Sequence, residues 1–268
     1  MAGSLSAAEE KLRAADLPGA LADLQSAVRA NPADAKSRIF LSQLLMVMGE
    51  WDRALTQLKV IAEMDASAIP MTRAYASAIQ CEQLRLSVMK GERSPLIFGD
   101  PQPWLALAAQ GLAALAAGRR EQADQIRAEA FEAAPATAGT LNGTGFEWIA
   151  DADSRLGPVL EVLLNGAYYW VPFQRIAAID FEEPADLRDM VWMPATFTWA
   201  NGGQAVGFVP TRYAGSESAA DSALRLSRKT EWSSIGTEAF AGLGQRVLVT
   251  SADEVPLLEV RELRLTGG

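Results

Sequence analysis

No histidine occurs in the 268 residues, and cysteine occurs once, at Cys81. Without histidine there is no Ser-His-Asp or Cys-His nucleophile and no His-containing zinc site, and the commonest general base near neutral pH is missing. Catalysis would have to rest on carboxylates, Lys, Tyr or an oxygen-ligated metal. The lone cysteine rules out an internal disulfide and a Cys-rich zinc site; its setting, SAIQCEQL, reads as a helical core position and fits a reducing compartment. Positive charge is scarce too. With 24 Lys and Arg against 33 Asp and Glu, the formal net charge is −9, and no basic stripe offsets it locally. Such a chain repels a phosphate backbone, so nucleic acid is not an expected partner. Long apolar runs are absent: the longest, WLALAAQGLAALAAG at 104–118, is too short and too Ala-rich to span a bilayer, and MAGSLSAAEEKLRAAD lacks the pattern of a secretion signal. A soluble, cytoplasmic protein without membrane contact is expected.

Hydrophobic residues make up 49% of the chain and charged ones 21%, enough for a full core and, at this length, for two domains. A period of 34 residues relates Ala20, Leu24, Ala27 and Pro32 to Ala54, Leu58, Ile61 and Ala66, the spacing of a tetratricopeptide helix pair. Gly111, Gly118, Ala123, Ala130 and Pro135 place a further unit at 104–137, and Gly49 occupies the turn position of Gly118. The intervening unit, 69–103, is degenerate: GERSPLIFGDPQP replaces most of its second helix with a Pro- and Gly-rich loop. The repeat predicts a helical domain over 1–137 that serves as a packing scaffold or offers a concave surface to a peptide or helix.

After Pro135 the texture changes. ATAGTLNGTG, 136–145, has the composition of a flexible joint, and strand signals follow. PVLEVLLNGAYYWVPF predicts a hairpin around Asn165-Gly166, setting Val162 opposite Tyr169, Leu160 opposite Val171 and Glu161 opposite Trp170, with one face in the core and the other half wet. VWMPATFTWANGGQAVGFVP predicts a second hairpin around Asn201-Gly202, with Met193, Ala195, Phe197 and Trp199 on one face and Val206 and Phe208 beneath them. RIAAIDF, GQRVLVT and PLLEVRELRL supply further strands, and SAADSALRLSRK a short helix. The fold class expected is α+β: a tetratricopeptide-like helical repeat followed, at 146–268, by a β-rich domain with a small mixed or barrel-like antiparallel sheet.

Asp151 and Asp153, in FEWIADADSRLGP, are the one carboxylate pair that invites a chemical reading. They lack the further oxygen ligands of a calcium loop, and nothing else marks a sugar cleft. A structural joint in which Arg155 pairs with an aspartate accounts for them better than catalysis. NGGQAVG has the wrong order for a phosphate loop, and Ser216 in YAGSES has neither the second glycine nor the base of a nucleophile elbow. No catalytic, cofactor-binding or metal-ligating residue is assigned.

The run from FEWIADADSRLGP through WMPATFTWANGG, followed by GFVPTRYAGS and DSALRLSRKTEW, resembles the ImpE family, also called SciE or TagJ, of type VI secretion accessory proteins. The resemblance spans nearly the whole chain, with its motifs between 146 and 232. It implies a cytoplasmic, non-enzymatic accessory protein that associates with the N-terminal helix of the contractile sheath's small subunit and is linked indirectly to the AAA+ unfoldase. It transfers no contact onto a numbered position. The residues themselves suggest where an amphipathic helix would dock: aromatic and arginine side chains concentrate binding energy, and Trp192, Arg212 and Tyr213 fall at one end of the second hairpin, where they would edge a groove. The acidic balance favours a partner helix with Lys or Arg beside its apolar stripe. The alternatives are a tetratricopeptide scaffold for another client and an enzyme working through Asp151 and Asp153.

Overall fold

Small residues at matched helix positions set the first half. In the computed structural model, which describes residues 2–266, Ala2–Arg13 (α1) and Leu17–Ala30 (α2) form one antiparallel pair and Ala35–Val47 (α3) and Trp51–Met64 (α4) the next. Ala20 and Leu24 on α2, and Ala54, Leu58 and Ile61 on α4, are the buried positions that the 34-residue period marks. Asp16 and Asp34 cap the second and third helices, accepting the amides of Gly19 and of Lys36 and Ser37. Ile69–Met89 (α5) stands without a paired helix. The Pro- and Gly-rich stretch behind it yields only the two-residue strand Leu96–Ile97 (β1), before Pro103–Ala116 (α6) and Arg120–Ala133 (α7) complete the last pair. Met1, Gly267 and Gly268, at the outer ends of the two expected domains, lie outside the described residues.

The stretch 136–145 is not a loose joint. Ala138–Leu141 (β2) and Thr144–Phe146 (β3) make a tight hairpin over Asn142 and Gly143, whose φ values of 48° and 82° suit the two-residue turn. Gly139 is glycine because the backbone of the neighbouring strand runs against it: an added Cβ would lie 2.1 Å from the Arg264 carbonyl oxygen. Composition alone read as flexibility what is close strand packing.

The remaining strands are Ile149–Asp151 (β4), Val159–Leu164 (β5), Ala167–Pro172 (β6), Ile176–Phe181 (β7), Trp192–Trp199 (β8) and Gln204–Pro210 (β9). The short helix Ser222–Arg225 (α8) is followed by Thr230–Gly236 (β10), Ala239–Gly244 (β11), Val247–Thr250 (β12), Glu254–Pro256 (β13) and Glu262–Thr266 (β14). Nine strands form one open sheet in the order β1-β6-β5-β9-β8-β7-β14-β2-β3, antiparallel except where β1, from the helical half, runs parallel to β6. Two small sheets, β10-β11 and β13-β12-β4, flank it. The chain is thus α+β, a tetratricopeptide-like helical region joined to an antiparallel sheet domain.

Two expectations about faces change. The first hairpin has the predicted register, Val162 to Tyr169 and Glu161 to Trp170, but its second face is not wet. All six residues of β5 are buried, Leu160, Val162 and Leu164 in one core and Val159 and Leu163 in the core shared with the helices. In the second hairpin Thr196 pairs with Val206 and Pro194 with Phe208, which puts Val206 and Phe208 on the face opposite Phe197 and Trp199. The cause is the loop. Trp199 N donates to Gly203 O at 2.8 Å and Gly202 N to Trp199 O at 2.9 Å, so Trp199 and Gly203 close the hairpin, the turn takes in Ala200 as well as Asn201 and Gly202, and the pairing shifts by one residue. A shift of one residue turns every side chain of a strand to the other face.

Candidate functional site

The helical half and the sheet meet through charge as well as apolar packing. Arg85 of α5, fully buried, donates through Nε and Nη2 to Glu161 of β5 at 2.9 and 2.8 Å, and through Nη1 to Glu82 at 2.7 Å. Glu82 also accepts Trp192 Nε1 at 3.0 Å, while Glu161 accepts Tyr168 Oη at 2.5 Å and the guanidinium of Arg246. Arg246 then pairs with Asp151. Burial would raise Glu161, but Arg85 and Arg246 hold it well below the usual carboxylate range. Asp151 is pushed up to about 6, chiefly by burial and in part by Asp153 and Glu161, with Arg246 pulling the other way. Every charge in this chain of contacts faces an opposite one, the condition under which buried ions are tolerated.

The residues singled out in the sequence lie around this network. Asp153, fully buried, accepts the amides of Arg155 and Gly242, each at 2.9 Å, and pairs with the Arg155 side chain. Asp151 accepts the Asp153 amide at 2.9 Å and the Tyr213 hydroxyl at 3.1 Å, so its arginine is Arg246 and not Arg155. Trp192, Arg212 and Tyr213 do come together at one end of the β8-β9 hairpin, but at exposures of 0%, 1% and 0% they edge no surface groove. Trp192 packs on Trp51 and Tyr75 of the helices. Arg212 donates to the carbonyls of Val47 and Met46 at 2.7 and 3.1 Å, closing the C-terminus of α3, and burial lowers it to about 10. Tyr213 lies under Gly242, where a Cβ would sit 2.3 Å from its ring. Aromatic and cationic side chains serve a buried seam between two halves as readily as a docking surface. Ser216 is structural: its hydroxyl donates to Tyr213 O at 2.6 Å and accepts the Gly244 amide at 2.8 Å.

The concave surface expected of the repeat is filled by the chain itself. Leu41 to Val47 of α3 are all buried, Gln43 donates to Asp186 at 3.0 Å, and Arg228 closes α1 through the carbonyls of Leu12 and Arg13 at 2.7 and 2.9 Å. A partner is left with surfaces beside the seam. One is an open, largely apolar groove of about 520 Å³ between α5 and the β5-β6 turn, walled by Tyr75, Ala78, Leu163, Pro194 and Phe208 and rimmed by Val206, which is 72% exposed. No signal in the sequence marked it, because the register shift that exposes Val206 arises in the loop.

Among the described residues no group of three His, Cys, Asp or Glu is placed to hold a metal, and no helix is long and apolar enough to cross a membrane. Comparison with known proteins then places the chain. The model for "ImpE protein" matches residues 143–264, and a tetratricopeptide-repeat model matches 11–77. The type VI secretion system accessory component TagJ of Pseudomonas aeruginosa is 50% identical over 256 residues, covering 96% of this chain and 90% of that protein. A crystal structure of a Vibrio parahaemolyticus protein superimposes with a TM-score of 0.87 at 23% identity, over 97% of this chain and 98% of the other, and so shares the fold. The chain belongs to the ImpE family of type VI secretion accessory proteins.

Proposed function

We propose that this protein is a cytoplasmic, non-enzymatic accessory component of type VI secretion that works by binding other proteins, and that its partner is the N-terminal amphipathic helix of the contractile sheath's small subunit. The observation that carries the accessory role is the 50% identity to TagJ along 96% of the chain. The apolar groove between α5 and the first hairpin supports the mode, since an amphipathic helix docks by setting a few apolar side chains into such a trough. A net charge of −9 favours a partner with Lys or Arg beside its apolar stripe. Any link to the AAA+ unfoldase would then run through the sheath subunit. The engagement of Asp151 by Arg246 and of Asp153 by Arg155 leaves neither carboxylate free as a base, which favours binding over the carboxylate-dependent enzyme. A tetratricopeptide scaffold for another client is separated from the sheath reading by the same experiment. Pull-down with the sheath small subunit, with and without its N-terminal helix, should retain only the intact subunit, and Val206→Glu should abolish retention. Equal retention of both forms would overturn the proposed mode.

A further inference from the structure

Among the residues lining one groove of the helical half, the only charges are positive. Val28, Leu41 and Leu45 floor this open groove of about 250 Å³, with Arg29 of α2 and Arg53 of α4 on its rim. Among the described residues no carboxylate lines it. Arg29 donates to the Ser26 hydroxyl at 3.1 Å, and Arg53 has only Glu50 at 3.7 Å, both nearly half exposed. Arg38 stands beside them, its Nη1 on Gln57 Oε1 at 3.0 Å and its Nε on the Pro32 carbonyl at 2.8 Å. Two guanidinium groups thus line a groove with an apolar floor, and a third, Arg38, is held next to it by Gln57, in a protein of net charge −9; Arg29 and Arg38 have no carboxylate partner among the described residues.

We propose that this groove is a second docking surface, and that it takes an acidic polypeptide segment with one apolar anchor. Guanidinium groups bind carboxylates in a planar, two-pronged geometry, so Asp or Glu side chains would sit on Arg29 and Arg53. A Leu, Ile or Phe next to them would cover the Leu41 and Leu45 floor. In a chain of net charge −9, two arginines in a groove lined by no carboxylate favour such a segment there. The groove between α5 and the first hairpin is uncharged apart from Arg73. The two surfaces therefore select different partners, and this inference does not depend on the sheath reading.

The test is a random-peptide selection against the full chain, followed by fluorescence anisotropy with the selected peptides. The expected result is a class combining Asp or Glu with one large aliphatic or aromatic residue. Its affinity should fall at least about tenfold in the Arg29→Ala, Arg53→Ala double variant and on raising salt, and stay within about twofold in Val206→Glu. Arg29 and Arg53 are exposed, so a thermal melt matching wild type shows that the double variant is folded. A selection without an acidic class, or acidic peptides that bind the double variant as well as wild type, would overturn the proposal. So would a dimer of the free protein that the double variant abolishes, since the occupant would then be a second copy of the chain.

Discussion

Arg85 and Glu161, 76 residues apart in sequence, face each other fully buried, with both guanidinium-to-carboxylate contacts within 2.9 Å. One belongs to α5, the helix of the degenerate unit, and the other to β5, the first long strand of the sheet. Removing the acid would take a carboxylate from two buried arginines at once, leaving Arg85 only Glu82 and Arg246 only Asp151. Glu161→Ala should therefore cost about 3–5 kcal/mol, read from urea denaturation, and Glu161→Gln only part of that. A loss below about 1 kcal/mol for Glu161→Ala would mean the pairing contributes little.

The Asp153 carboxylate holds Arg155 and the amide of Gly242, tying the segment before β5 to the β10-β11 hairpin. We expect Asp153→Ala to lower stability by about 2–4 kcal/mol, because it leaves a partly buried arginine and a buried amide without an acceptor. Asp153→Asn, which keeps an acceptor, should lie in between. An unchanged thermal melt for the alanine variant would remove the structural role of this joint.

Gly242 lies flat on the Tyr213 ring. Gly242→Ala would place a methyl where no atom fits, forcing the ring or strand β11 to move, at about 1–3 kcal/mol. Gly143→Ala is a control in open space but at positive φ, so it should show only the smaller backbone cost of about 1 kcal/mol. Near-ultraviolet circular dichroism would detect the displaced tyrosine in the first variant and not in the second.

Asp151 has a distinct pH signature. Its folded pKa of about 6 lies above its unfolded value of 3.8, so the native state holds this proton over a range where the unfolded chain has released it. Its contribution to stability is then present below about pH 4 and lost as pH rises towards 6. Glu161 runs the other way: held low by two arginines, it contributes above its unfolded value of 4.5 and loses that contribution as pH falls. The stability of Asp151→Asn relative to wild type should consequently rise between about pH 4 and 6. A difference flat across that window would show that Asp151 titrates normally.

Much of this architecture was legible because local signals and tertiary packing agree. The 34-residue spacing found Ala20 and Ala54 at helix contacts, and Asn165-Gly166, at φ values of 51° and 76°, set the register of the first hairpin. The second hairpin differs by one residue because Ala200 joins the Asn201-Gly202 turn, which dipeptide preference cannot resolve. Trp192, Arg212 and Tyr213 were found together but on the wrong side of the surface, since residue type does not separate an intramolecular interface from an intermolecular one. Glu161 carried an unread signal: a lone acid within VLEVLL requires a buried cation, and only the fold could identify Arg85 and Arg246 as its partners.

This seam is expected to make the helical repeat and the sheet one cooperative unit, closed to a partner between the halves. Native-state hydrogen exchange under increasing urea tests it most directly. The amides of α5 and of β8 should report the same opening free energy and the same urea dependence, and Glu161→Ala should lower both together. Exchange of α5 through a separate, lower-energy opening while β8 stays protected would contradict the claim.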